Sequence, residues 1–400
     1  MIDQFTIERI LDAANIVNVV SEFVTLRKRG VNYVGLCPFH NEKTPSFYVS
    51  PAKGICKCFS CGKGGNVIHF LMEHEQMSFY DAAEWLADKY GIPFQRRELT
   101  DTERALQNER ESLFVVNQFA KDYFIQTLHT PKGKAVGMAY FHKRGFRDDI
   151  IEKFQLGYST NDPDALAGLA LKKGYTKENL VKAGVCLERD DGTLLDRFRG
   201  RVIFPIHSLS GKIVAFGGRI MNSKAKTAKY VNSPESVIYS KSRELYGIYF
   251  AKQAIVRQDR CFLVEGYTDV ISMFQAGVEN VVASSGTALT AGQIRLIRRF
   301  TNNITVLYDG DPAGIKASIR GIDMLLAEGM NVKVLLLPDG EDPDSFAQKH
   351  NATAFRQYIN KHQVDFIRFK VNLLTSDAAD DPISRSELIK EITRSISVIQ

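Results

Sequence analysis

Two short pairs of ligand-type residues constrain this chain more than any other feature: Cys37 and His40, then Cys58 and Cys61, each pair enclosing two residues. Seventeen residues lie between the pairs. Two tight turns separated by a hairpin-length segment can deliver four thiolate and imidazole donors to one tetrahedral ion, a chemistry that suits zinc. Gly62, Gly64 and Gly65 follow the second pair and give the knuckle backbone freedom. With four protein ligands no coordination position stays open, so one structural Zn2+ is expected, not a catalytic one. Cys56 breaks the pairing and is expected to be a non-ligand. Cys186 and Cys261 lie in apolar surroundings and are expected in the core.

The compartment agrees with thiols kept as ligands. The first residues, MIDQFTIERILDAANIV, carry Asp3, Glu8 and Asp12 among apolar positions, an amphipathic helix and not a signal peptide. No stretch approaches the roughly 18 consecutive apolar residues of a membrane span. A cytoplasmic chain with reduced cysteines and no membrane partner is expected.

Past the cysteine cluster, residues 67–90 show apolar spacing near the helical period, closed by Gly91 and Pro93. Arg96 to Ser112 is dense in both charge signs, which places a domain boundary near residue 105. Residues 113–258 are mixed, with a helical run from Phe114 to Leu128 and strands at 201–207 and 212–216. From Cys261 onward strands and helices alternate: CFLVEG, VENVVASSG, NITVLYDGD and NVKVLLLPDG read as strands with helical segments between them. That alternation implies a mostly parallel sheet covered by helices. The tail past residue 350 reads as helical and ends without a stop signal, so the natural chain is expected to continue beyond residue 400.

Acids stand at the ends of these strands. Glu265 closes CFLVEG, Asp309 and Asp311 close NITVLYDGD, Asp342 and Asp344 follow NVKVLLLPDG, and Asp269 opens a helix four residues after Glu265. In an open parallel sheet, ligands bind beyond the carboxyl ends of the strands, so these six acids are expected at one edge. Single acids after strands are commonly turn or cap residues, and Asp269 and Asp344 fit that description too. Clustered carboxylates with hard oxygen donors suit Mg2+ or Mn2+, and the chemistry they imply is metal-assisted phosphoryl transfer. Between Gly211 and Arg243 stand seven bases and one acid, a local excess of +6 equal to that of the whole chain. Such a patch fits a phosphate backbone or a solvated basic face. Lys43, Lys53, Lys57 and Lys63 alternate with Phe39, Phe47, Tyr48 and Phe59 around the cysteines, a mixture suited to a single strand where the rings are exposed.

These motifs resemble a known family. GLCPFHNEKTPSF from Gly35 and CFSCGKGGN from Cys58 resemble the zinc-binding domain of bacterial DNA primases. EGYTDV, SSGTALT, YDGDPAG and PDGEDPD resemble the Toprim motifs of those primases in the same order, and RFRGRVIFPI and KYVNSPES resemble the basic segment of their polymerase core. The resemblance implies a multidomain α+β chain: a zinc-ribbon domain with linker at 1–105, a basic subdomain of the polymerase core at 106–257, a Toprim subdomain with a parallel sheet and flanking helices at 258–350, and a helical tail at 351–400. It implies a DNA-dependent RNA polymerase starting RNA primers de novo on single-stranded DNA. Glu265, Asp309 and Asp311 would be the primary metal site, with Asp269, Asp342 and Asp344 as further acids. Arg199, Arg201, Lys229, Lys241 and, more weakly, Arg219 would form a basic ridge for template or nucleotide. The implied partners are the template, ribonucleoside triphosphates, the RNA–DNA hybrid and, through a C-terminal domain outside this chain, the replicative helicase. The chain is expected to act as a monomer at the replication fork. A Toprim nuclease or topoisomerase and a non-catalytic zinc-bearing single-strand-binding module are the alternatives.

Overall fold

The computed structural model describes residues 2, 4–40, 42–75, 77–94, 100–222, 227–286, 289–308, 322–338, 341–350, 352–377 and five positions between 390 and 397. It divides into two compact units, Met1–Arg104 and Ala105–Gln400.

The first unit is built on a five-stranded antiparallel sheet in the order β1 (Arg27–Arg29), β2 (Asn32–Gly35), β3 (Phe47–Ser50), β4 (Ile55–Cys58) and β5 (Gly64–Gly65). Alternation assigns its faces. Phe47, Val49, Cys56 and Cys58 turn inward, onto a core with Val67, Ile68, Phe70 and Leu71 of the helix Val67–His74. Helices begin where a short polar side chain can cap them: the Asn15 carbonyl accepts from the N–H groups of Val17 and Asn18, and the Ser78 hydroxyl accepts from Asp81. Each cap splits in two a stretch whose apolar period alone reads as one helix, giving Gln4–Ala13 with Ile16–Ser21, and Val67–His74 with Phe79–Lys89.

The second unit holds two larger sheets. One is antiparallel, in the order β11 (Tyr230–Asn232), β10 (Ile213–Ile220), β9 (Arg201–His207), β6 (Gly157–Ser159), with a separate hairpin of β7 (Cys186–Glu188) and β8 (Leu194–Asp196). The other runs β13 (Val281–Ala283), β12 (Cys261–Val264), β14 (Asn303–Tyr308), β15 (Asn331–Leu336), all parallel, closed by antiparallel β16 (Val364–Asp365). That last strand lies within the tail that the sequence pattern assigns to helix. The parallel strands are apolar on both faces. Cys261, Leu263, Ile304, Val306, Val332 and Val334 face one core, which includes Ile294, Ile297 and Phe366. Phe262, Val264, Leu307 and Leu335 face the other, which also takes in Val202, Phe204 and Ile206 of the antiparallel sheet. The two sheets therefore share a core. Phe204 stacks on Tyr267 at 5.0 Å and 9°, a contact worth about 1 kcal/mol beyond area burial. Gly217 is required there, because a Cβ at that position would lie 2.5 Å from the Tyr267 ring. Cys186 and Cys261 are fully buried.

Candidate metal centre and acidic edge

The four ligand atoms of Cys37, His40, Cys58 and Cys61 lie within 4.8 Å of one another. A tetrahedron with zinc–sulfur bonds of roughly 2.3 Å has edges of about 3.8 Å. The Sγ atoms of Cys37 and Cys61 are 3.8 Å apart, and Sγ of Cys58 lies 3.9 Å from Nδ1 of His40. The donor set and its spacing fit zinc. The knuckles are made by the backbone: Phe39 N–H points at Cys37 Sγ (3.4 Å) and Cys61 N–H at Cys58 Sγ (3.3 Å), while Gly62, at φ +78°, turns its N–H back to the Cys58 carbonyl. Gly64 is excluded from carrying a side chain, since a Cβ would sit 2.2 Å from the Cys56 carbonyl oxygen. Cys56 lies outside the cluster, its thiol 3.5 Å from the Gly65 carbonyl.

Without an ion the thiols are unequal. Burial and the neighbouring thiols push Cys37 up to about 12. Burial also opposes ionisation at Cys58, but the Cys61 N–H and the Ser46 hydroxyl outweigh it and bring that thiol to about 6. Sequence reasoning misses one member of the site. The Glu42 carboxylate accepts from Cys37 N–H (2.8 Å) and Ser46 N–H (3.0 Å) and lies 3.3 Å from His40 Nε2. That contact orients the imidazole with Nδ1 toward the sulfurs, as carboxylates behind metal-bound histidines do. The signal is an acid two residues after the histidine.

The outer face of the same sheet is basic and aromatic. Arg27, Val34, Tyr48 and Lys57 stand in one cross-strand row. Arg29 donates to the Tyr48 hydroxyl (2.6 Å), and Phe59, 70% exposed, packs edge-on to Tyr48 at 5.3 Å. Phe47 and Phe39, by contrast, belong to the inner cluster with Phe70.

In the second unit, parallel strands bring their carboxyl ends to one edge. Glu265 follows β12 directly and is exposed, its carboxylate making no hydrogen bond or ion pair among the described residues. Ser285 N–H bonds the Glu265 carbonyl (3.2 Å), tying the end of β13 to the end of β12. Asp269, in the first turn of helix Tyr267–Gln275, accepts from Gly266 N–H (2.9 Å). Asp342 is the N-cap of helix Pro343–Lys349, accepting from Ser345 N–H. Asp344 is buried: one carboxylate oxygen accepts from the Ser272 hydroxyl (2.5 Å) and Gln348 (3.0 Å), the other pairs with Arg144. Asp309 and Asp311 lie outside the described residues.

The basic residues divide. Arg219 donates to the Tyr140 hydroxyl, and its guanidinium lies 4.9 Å from the Tyr140 ring centre and 5.9 Å from that of Tyr230. Lys229 is exposed and Arg199 half-buried. Lys241 is held by its backbone, N–H to Glu235 (2.8 Å) and carbonyl to Gln293 (3.0 Å). Arg201 is buried, its guanidinium donating to the carbonyls of Gly218 (3.1 Å), Ala228 (3.0 Å) and Lys229 (3.2 Å). The basic sheet and the acidic edge meet. The Asn232 amide accepts from the Tyr267 hydroxyl (2.8 Å) and donates to the Ser285 carbonyl (3.1 Å). Burial raises the Tyr230 phenol, Arg219 and Arg144 pull it down, and Asp269 and Asp344 push it up. Those five side chains share one electrostatic neighbourhood.

A closed three-cysteine, one-histidine site, a basic antiparallel sheet and a parallel sheet tipped with acids define a zinc-bearing Toprim protein. Residues 2–102 match the CHC2 zinc finger family, 123–252 the N-terminal domain of the DNA primase catalytic core, and 262–347 the Toprim-like family. The DNA primase of Halalkalibacterium halodurans is 41% identical over 401 residues, covering 98% of this chain and 66% of its own length. That of Clostridium acetobutylicum is 41% identical over 367 residues, covering 92% and 60%. The solved Aquifex aeolicus primase, comprising zinc binding and RNA polymerase domains, matches with TM-score 0.64 and 34% identity over 99% of this chain and 93% of that one. A DnaG primase catalytic domain bound to single-stranded DNA matches with TM-score 0.65 and 33% identity over 73% and 94%. The chain belongs to the DnaG-type bacterial DNA primase family. It spans 66% and 60% of the length of these two curated relatives. Among the described residues no helix is long and apolar enough to cross a membrane.

Proposed function

We propose that this chain is a DNA-dependent RNA polymerase that makes short RNA primers de novo on single-stranded DNA. Its partners on this reading are the template, ribonucleoside triphosphates and the RNA–DNA product, at the replication fork beside the helicase. The observation that carries it is the meeting of an acid-tipped parallel edge with a basic sheet inside one folded unit, bridged by Asn232, Tyr267 and Ser285. Polymerisation joins a 3′-hydroxyl oxygen to the α-phosphorus of a triphosphate and releases pyrophosphate. Glu265, Asp309 and Asp311 would hold Mg2+ or Mn2+; the exposed carboxylate of Glu265, unpaired among the described residues, has the hard oxygen chemistry such an ion takes. When bound, the ion lowers the pKa of the attacking hydroxyl and neutralises the leaving pyrophosphate. Arg219, Arg199, Lys229 and Lys241 hold phosphates and orient the triphosphate for in-line attack. Arg201 keeps the 228–229 backbone against β10, so Lys229 is presented from a fixed loop. In the zinc unit, Phe59 and Tyr48 offer stacking surfaces for template bases while Arg27, Arg29 and Lys57 meet the phosphates.

The test is RNA synthesis on short single-stranded templates with four ribonucleotides and Mg2+. Glu265→Gln and Asp309→Ala are expected to abolish synthesis while leaving single-strand binding largely intact. DNA cleavage without RNA synthesis would overturn the reading in favour of a nuclease. Equal loss of synthesis and binding would make the acids part of a binding surface.

A further inference from the structure

The acidic edge contains a device that the motifs do not announce. A five-residue π-helical segment, Lys134–Met138, runs into the short helix Ala139–Lys143. Wide turns of this kind re-aim the side chains that follow and recur at functional sites. Here they bring up Tyr140 and, four positions later and on the same helical face, Arg144. Arg144 N–H closes the helix onto the Tyr140 carbonyl (3.2 Å). Its guanidinium lies 5.3 Å from the Tyr140 ring centre and ends on buried Asp344. Arg219, arriving from β10, lies 4.9 Å from the same ring and donates to its hydroxyl. One phenol thus carries two cations, one from the helix and one from the basic sheet.

Among the described residues, the charges around the ring do not balance. Asp344 answers Arg144, and both its oxygens are occupied, by Ser272 and Gln348 on one side and Arg144 on the other. Among the described residues Arg219 has no acidic partner, and its buried Nε has no hydrogen-bond partner. A planar guanidinium with open donors beside a second one is a cradle for a phosphate group.

We propose that Tyr140 is a positioning residue that fixes Arg144 and Arg219 as a pair for the triphosphate of the incoming nucleotide. Asp344 is the anchor of Arg144 and not a metal ligand. The ring's electron-rich face holds each cation, its hydroxyl sets the direction of Arg219, and Asp344 stops Arg144 from swinging out to solvent. The inference rests on the primer-synthesis reading above for the identity of the ligand.

Two readouts separate it from that reading. Equilibrium binding of a fluorescent ribonucleoside triphosphate needs no turnover, and synthesis kinetics give KM, kcat and the Mg2+ half-saturation point. Tyr140→Leu is expected to raise both Kd and KM about tenfold, the scale of two cation–π contacts, with kcat moved far less. Tyr140→Phe, which keeps the ring and loses the hydroxyl, is expected to fall between that variant and the parent. It also keeps the test decisive should the leucine variant fold poorly. Asp344→Asn is expected to raise KM like Tyr140→Leu while leaving the Mg2+ half-saturation point in place. Parental Kd in both Tyr140 variants overturns the positioning role, even where the parent synthesises RNA. A higher Mg2+ requirement in Asp344→Asn, with parental KM, overturns the anchor and makes Asp344 a metal ligand. Failure of the parent chain to make RNA while it still binds triphosphate through Tyr140 sinks the polymerase reading and leaves the cradle standing.

Discussion

Arg201→Met separates a buried structural arginine from a phosphate contact. The guanidinium of Arg201 donates to three backbone carbonyls, of Gly218, Ala228 and Lys229, from a site that leaves 5% of the residue exposed. Burial lowers its pKa, but the group stays charged, so three charge-assisted bonds are lost in the variant. At a net value of about 1.5 kcal/mol for each charge-assisted bond, offset partly by the apolar replacement, the unit should lose roughly 3 kcal/mol. That corresponds to a melting shift of roughly 5 °C. The only tryptophan, Trp85, lies in the other unit, so far-UV circular dichroism is the fitting probe. The partner measurement is the salt dependence of single-strand binding below the melting range. Each phosphate contact on a single strand contributes about 0.7 to the slope of log affinity against log salt. The slope of Arg201→Met is expected to match the parent's. Parental stability combined with a slope lowered by one contact would refute the structural role and return Arg201 to the basic ridge.

Three further outcomes follow from named contacts. Glu42→Ala removes the acceptor behind His40 and Cys37 and should lower zinc affinity by about 10–100-fold, measured by competition with a chelating dye. Phe59→Ala should weaken single-strand binding by about 1–3 kcal/mol, the value of one base stacked on a ring, with Trp85 fluorescence confirming a folded unit. Asp196 is buried against the N–H groups of Leu166 and Ala167, and burial raises its carboxyl to about 6. Its folded pKa lies above the unfolded value, so the native state binds the extra proton between pH 4 and 6. This group's contribution therefore falls as pH rises through that window, and urea melts of Asp196→Asn should lack that part of the slope.

The parts of the molecule written in local spacing could be read from the chain. The zinc ligands are two pairs on tight turns, and a turn is a property of a few consecutive residues. The parallel strands are apolar on both faces, so CFLV, NITVLY and NVKVLL stand out as continuous runs. The pattern was silent where a partner comes from far away. Arg144 and Asp344 are 200 positions apart, and Tyr140 and Arg219 are 79 apart. No periodicity connects them, and Tyr140 in AYFHKRG reads as one more aromatic on a short helix. Arg201 fails in the opposite direction: as part of RFRGRVIFPI it looks like ridge charge, and only the carbonyls of Gly218, Ala228 and Lys229 show that it is turned inward onto backbone. Glu42 lies between, since it is two residues from His40, but only the fold of the knuckle turns it inward.

Charge is handled differently in the two units, and the difference explains which acids remain available. In the zinc unit Cys37, His40, Cys58 and Cys61 converge on one closed site, and Glu42 supports it from behind, so none of these four ligands is left over for catalysis. At the parallel edge the acids are graded by what already satisfies them. Asp344 is committed to Arg144, Ser272 and Gln348, Asp342 caps a helix, and Asp269 holds the Gly266 N–H. Glu265 alone among the described acids of the edge stands exposed without a partner. An acid whose lone pairs are filled by fixed donors gains little from a cation, whereas an exposed one at the end of a strand can take it at small cost. Six acids in the motifs therefore do not amount to six equivalent carboxylates: among the described acids of the edge, Asp269, Asp342 and Asp344 are bonded into the frame, and Glu265 is the one whose carboxylate stands open.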